Sequence, residues 1–149
     1  MTPDQVKLVQ DSFKKVEPIA AQAADLFYGR LFEIAPDVRK LFPADLTSQK
    51  AKLMSMIATA VTNLHQVETI IPAVQELGRR HVGYGVTSTH YQPVGEALIW
   101  TLEKGLGPDF TPGVKDAWLT TYQTLQDVMT SAAAEVMPPK KGLLARMFG

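Results

Sequence analysis

The sequence predicts an all-α domain of about seven helices, and three observations predict it. Its ten prolines, at 3, 18, 36, 43, 72, 93, 108, 112, 138 and 139, divide the chain into intervals. The longer intervals repeat apolar residues at helical spacing. No segment alternates apolar and polar residues with period two, and no Asn-Gly or Asp-Gly pair separates two apolar runs, so the strongest hairpin signal is absent.

Taken in order, the first helix is announced by Thr2-Pro3-Asp4-Gln5: an N-cap threonine, a proline at the first helical position and a glutamine where a capping box closes. A helix that begins so early leaves no room for an apolar signal segment, and no run of about 18 apolar residues follows, so a cytoplasmic location is expected. The second helix gathers Ala24, Phe27, Tyr28, Leu31 and Phe32 on one face, and the next aligns Leu46, Gln49, Leu53, Ile57, Ala60 and Leu64. A further helix carries Ile71, Val74, Leu77 and His81 on one stripe. After it, Val86-Thr87-Ser88-Thr89 is compatible with a short extended piece. The last two stripes run through Val94, Leu98 and Leu102, then through Trp118, Tyr122, Leu125, Val128, Met129 and Ala132, with Thr111-Pro112 opening the final helix. Pro138-Pro139 should stop that helix, which gives a domain over 1–137 and a flexible tail over 138–149. Leu143, Leu144, Met147 and Phe148 could gather on one face of the tail, the only route to a membrane or partner anchor. Periodicity does not decide between an antiparallel bundle and helices crossing at steeper angles.

Composition narrows the function. With 149 residues, 46% of them hydrophobic and 20% charged, the chain can bury one core. Fifteen basic residues cancel fifteen acidic ones, so there is no field to attract nucleic acid. The absence of cysteine excludes disulfides, thiolate metal sites, a Cys nucleophile and covalent c-type haem attachment, leaving metal chemistry to His, Asp, Glu or Tyr. No phosphate loop, HExxH, nucleophile elbow or paired-carboxylate arrangement stands out.

Three polar residues interrupt apolar stripes and must be satisfied inside, packed at an edge or turned toward a ligand. His81 follows Leu77 by four residues, about 40° around the helix, and points inward; His65 follows Leu64 by about 100° and points outward. His90, just before Tyr91-Gln92-Pro93, reads as a loop or capping residue. Gln49 and Tyr28 bring two hydrogen-bonding groups to the core side of their helices. Each alone is ordinary. Together, an imidazole and two donors in an apolar, aromatic cavity are what a metal-centred cofactor with a bound gas needs. Lys52, Arg79 and Arg80 flank the stripes, either as their solvated border or as counter-charges to a cofactor's carboxylates.

At this point the sequence resembles the globin family, and within it the single-domain bacterial globins, the haem domain of flavohaemoglobins, and neuroglobin. The resemblance spans roughly residues 5–132 and rests on Phe27-Tyr28 with Leu31-Phe32, Pro36 before Leu41-Phe42, Gln49 with Lys52-Leu53, Leu77-Gly78-Arg79-Arg80-His81, Gly85-Val86, His90-Tyr91, Val94-Gly95, Leu106-Gly107, and Ala117-Trp118 with Tyr122. It implies a globin fold around one non-covalent haem b, with His81 as the proximal iron ligand, Phe42 on the haem face, and Tyr28, Gln49 and Leu53 in the distal pocket. Lys52, Arg80, Val86, Tyr91 and Val94 complete the cofactor-binding set it implies. Dioxygen, CO and NO are the expected ligands, bound reversibly in oxygen binding, transport or storage.

Two departures bear on that expectation. Neuroglobin has a histidine where this chain has Gln49, so internal bis-histidyl ligation is not expected. Flavohaemoglobins set a glutamate near the proximal His and Tyr; the matching position is Ala133, and Glu135, about 200° around the helix from it, does not simply replace it. No flavin or nicotinamide domain follows, so NO dioxygenase turnover, the enzymatic alternative, needs an external reductase. A gas sensor or interaction module is the third possibility.

Overall fold

The computed structural model describes residues 1–83 and 85–135, the side chain of Ser88 excepted. Six α-helices follow one another: α1 (Pro3–Val16), α2 (Ala20–Ile34), α3 (Thr47–Thr62), α4 (Ile71–Gly83), α5 (Tyr91–Leu106) and α6 (Pro112–Ala134). A six-residue 3₁₀ helix, Pro36–Leu41, is the seventh helical unit; the 3₁₀ stretch Leu64–Thr69 is broken at Gln66, whose backbone is not helical. There is no strand among the described residues. The expected tail over 138–149 lies outside them.

Local chemistry sets the boundaries. The Thr2 hydroxyl accepts from the Gln5 N–H at 3.1 Å and the Thr2 N–H donates to the Gln5 side chain at 3.0 Å, closing the expected capping box. The Thr111 hydroxyl accepts from the Val114 N–H at 3.2 Å and starts α6. Pro3 and Pro112 open their helices, and Pro72 and Pro93 sit in first turns, where a missing N–H costs nothing. Gly107, at φ 55°, ends α5 in a conformation that side chains avoid. The extended piece expected over 86–89 does not reach residue 89: Thr87 is extended and caps a 3₁₀ turn, Ser88–His90.

Helices pair out of chain order, α2 on α5 and α4 on α6, with α1 on α6 and α2 on α3. This excludes a bundle in which each helix packs mainly on its chain neighbours. Gly78 permits the α4–α6 contact, because a Cβ there would sit 2.7 Å from the Met129 Cα. Two core clusters result. One joins Val9, Phe13, Val16, Leu102 and Trp118, with the indole N–H donating to the Ser12 hydroxyl at 2.8 Å. The other joins Phe27, Tyr28, Leu31, Val38 and Ala97. Both contribute to an apolar cavity of about 20 Å³ lined by Phe13, Phe27, Leu53, Leu98 and Trp118, among others.

Candidate functional site

The second cluster contains most of the predicted distal residues. Tyr28, on α2, is only 3% exposed. Its ring lies edge-on to Phe27 at 5.0 Å and to Phe42 at 5.5 Å, with Phe32 at 5.9 Å. Leu53 of α3 and Val94 of α5 pack against the same cluster. Burial raises the Tyr28 pKa above its usual value, and the Gln49 side chain opposes that rise. Lys50, next to Gln49, reaches Asp25 on α2 at 2.8 Å and ties the two helices together beside this pair.

The corner between α2 and α3 carries Phe42. Pro36–Leu41 delivers the chain to Phe42 in an extended conformation, and its N–H donates to the Arg39 carbonyl at 3.2 Å. Asp45 then accepts from both the N–H and the hydroxyl of Thr47, starting α3 with an Asx-type turn. Those bonds, the Thr47 N–H first, hold its carboxyl below the usual range.

His81 lies half-buried on α4, and its ring meets the Tyr91 ring at 6.3 Å, inclined at 68°. Burial first, and the Arg80 charge second, lower the His81 pKa, favouring the neutral imidazole that metal coordination requires. The Val86 N–H donates to the His81 carbonyl at 2.9 Å, closing the backbone after α4. The Tyr122 hydroxyl, on α6, donates to the Tyr91 carbonyl at 2.6 Å and fixes the start of α5. Helix α5 therefore connects the two halves: Tyr91 stands against His81, while Val94 and Ala97 join the Tyr28 cluster.

The Tyr91 hydroxyl is buried with no hydrogen-bond partner among the described residues. Such a group costs about 1–3 kcal/mol unless something supplies a partner. An orphaned buried hydroxyl beside an imidazole whose neutral form is favoured fits the donor chemistry of a metal-bearing group. Lys52 and Arg80 are exposed. Arg79 instead pairs with Glu76 and Glu135, each at 3.5 Å. His65 is exposed, as its helix phase predicts. His90 does cap: its Nδ1 accepts from the Thr87 N–H at 3.0 Å.

The Globin family model matches residues 25–129, from within α2 through most of α6, and takes in Tyr28, Phe42, Gln49, His81 and Tyr91. The chain belongs to the globin family. Neuroglobin from Danio rerio is 30% identical, over 86% of this chain and 89% of that one. The flavohemoprotein of Bacillus subtilis is 32% identical over 68% of this chain, which covers 26% of that relative's length. Among solved structures, an engineered carbene transferase, made from a provisionally assigned nitric oxide dioxygenase of Rhodothermus marinus, superposes with a TM-score of 0.83 at 25% identity, covering 97% of this chain and 99% of that one. A bacterial globin from Campylobacter jejuni shares the fold with a TM-score of 0.81 at 22% identity, covering 91% and 98% of the two chains.

Family membership implies haem binding and small gaseous ligands. Of the residues singled out by helix phase, Tyr28 lies in the aromatic cluster with Phe42 and His81 stands against Tyr91. Glu135 is not turned to the proximal pair; its carboxylate is 62% exposed and directed to Arg79. No helix of the described residues is long and apolar enough to cross a membrane. Arg39 and Tyr122 act through backbone carbonyls, Arg39 on residues 42–44 and Tyr122 on Tyr91, and no spacing rule reveals such partners.

Proposed function

We propose that this globin holds one b-type haem non-covalently through His81 and binds dioxygen, CO and NO reversibly, in oxygen binding, storage or transport. The observation that carries the reading is a buried phenol, Tyr28, set edge-on to Phe42, with the Gln49 side chain acting on it. Haem, when bound, supplies a ferrous iron that takes up a diatomic gas. The chain's residues do the rest. His81, neutral, supplies an imidazole nitrogen, and Tyr91 offers the cofactor a hydroxyl that has no partner among the described residues. Phe42, Leu53, Val86 and Val94 offer it apolar surface, and Lys52 and Arg80 offer positive charge to its carboxylates. Tyr28 and Gln49 donate to a ligand that gains partial negative charge, as dioxygen does and CO does not.

Spectra of the purified protein in ferric, ferrous and CO-bound forms test this directly, together with the same spectra of His81→Ala. Failure of wild type to take up haem overturns the reading.

A second reading, NO dioxygenation with an external reductase, draws support from the likeness to a chain assigned that activity and from the flavohemoprotein. Against it stands Ala133 at the position of the flavohaemoglobin glutamate. Continuous NO consumption with a reductase supplied favours the enzyme; consumption that stops after one equivalent favours the carrier.

A further inference from the structure

We propose that Arg39 is a positioning residue for the distal wall: its guanidinium locks the backbone of residues 42–44 and so keeps Phe42 against Tyr28. The inference rests on the proposed reading of Phe42 as a wall of the haem pocket.

The segment from Phe42 to Leu46 has no regular helix of its own, and Pro43 contributes no N–H. Such a corner leaves consecutive carbonyls to be satisfied by water, and a loop held only by water is mobile. Here one side chain takes three of them. Arg39 Nη1 donates to the Phe42 carbonyl at 3.3 Å and to the Pro43 carbonyl at 2.9 Å, and Nη2 donates to the Ala44 carbonyl at 3.1 Å. The backbone carbonyl of the same residue accepts the Phe42 N–H at 3.2 Å, so Phe42 is held through both its peptide groups.

The guanidinium is itself held. It lies over the Phe32 ring, 5.1 Å from its centre, and Phe32 meets Phe42 at 5.7 Å and Tyr28 at 5.9 Å. Arg39 thus closes a loop of contacts: side chain to carbonyls, backbone to Phe42, and cation face to the ring that packs beside Phe42. A planar fork with five donors can serve three carbonyls and a ring face at once. A lysine keeps the charge, but its single ammonium does not combine that stacking with the same spread of bonds. Arg39 touches neither Tyr28 nor Gln49 in these contacts, so its influence on a bound gas passes through Phe42.

Arg39→Lys and Arg39→Gln in the haem-loaded protein provide the test. Two readouts are taken: haem transfer to an excess of an apoprotein acceptor, and the C–O stretching bands of the CO complex, which report how the distal donors sit. Both variants should lose haem roughly tenfold faster, the factor that about 1.4 kcal/mol represents, and should split or broaden the C–O band. Phe32→Leu, which removes the platform under the guanidinium, should broaden the band in the same way.

Wild-type behaviour of Arg39→Lys in both readouts would mean that charge alone matters, and it overturns the proposal. So does a lowered melting temperature with haem loss and the C–O band unchanged. If wild type takes up no haem, the reading of the site fails, and amide exchange at Phe42 and Ala44 decides the clamp: faster exchange in both variants supports it, and unchanged exchange overturns it.

Discussion

Tyr28→Phe removes one hydroxyl and leaves the rest of its wall in place. The ring that packs at 5.0 Å from Phe27, 5.5 Å from Phe42 and 5.9 Å from Phe32 is retained, so the packing contribution is nearly unchanged. On the proposed reading, the hydroxyl donates to dioxygen in a site where Tyr28 is 3% exposed, and a hydrogen bond to a charged acceptor is worth about 1.5–3 kcal/mol. The same hydroxyl is engaged with Gln49 before the gas arrives, and giving up or sharing that bond offsets about 0.5–1.5 kcal/mol. With weaker bonds set against weaker and stronger against stronger, a net loss of about 1–1.5 kcal/mol remains, and dioxygen should leave roughly 5- to 13-fold faster. CO gains little charge, so its release should barely change. Because burial raises the phenol pKa above its ordinary value of 10.0, the donor stays protonated at every pH below that, and the effect should not vary across neutral pH. Stopped-flow release of both gases measures this. Unchanged or slower dioxygen release, or an equal factor for CO, would show that the hydroxyl serves Gln49 alone and refute the reasoning.

His81→Ala should abolish haem retention or convert the ferric spectrum, whereas His65→Ala and His90→Ala should leave axial ligation untouched; a comparable spectral change in either control contradicts the single-ligand assignment. The lowered His81 pKa means that the unfolded chain binds a proton before the folded one does, so stability of the haem-free protein should be constant in this respect above about pH 6.5 and fall as pH drops below it. His81→Leu should flatten that slope in urea unfolding measured from pH 7 to 5. Gly78→Ala places a methyl group against the Met129 backbone, which cannot rotate aside, and should lower stability by about 1–3 kcal/mol in thermal unfolding; a neutral effect would mean that α4 and α6 do not approach so closely.

Some of this was legible in the sequence and some was not, for physical reasons. Helix phase put Tyr28 and His81 inward and His65 outward, since a period of 3.6 residues leaves little freedom once the neighbouring apolar residues are assigned. Thr2 and Thr111 were legible because capping acts over three residues. Val86–Thr89 was less so: β-branched residues favour strands, yet Thr87 spends its extended conformation on capping a turn, with His90 completing the box. The pairing of α4 with α6 depends on Gly78 meeting a backbone 51 positions away, and the Tyr122 hydroxyl reaches a carbonyl 31 positions away. Patterning along one helix contains no information about such partners. Arg39 is harder still, because its partners are carbonyls, which every residue has.

These long-range and backbone contacts divide the proposed work of the site between its two walls. On the α4 side, the acids near the end of α6 are committed elsewhere: Glu135 to Arg79 at 3.5 Å and Asp127 to Gln123 at 2.8 Å. On the α2–α3 side, the proposed reading has Tyr28 and Gln49 provide the donors, while Arg39 and Phe42 provide the wall beside them. On that reading, the α2–α3 wall discriminates between gases through Tyr28 and Gln49, and through Arg39 and Phe42 it adds to the haem retention that His81 provides. Tyr28→Phe should change dioxygen release without releasing haem, and Arg39→Gln should change both. Since Tyr28 and Arg39 meet only through Phe42 and Phe32, combining the two substitutions should give less than the sum of their effects on dioxygen release, because a donor already removed has no position left to lose.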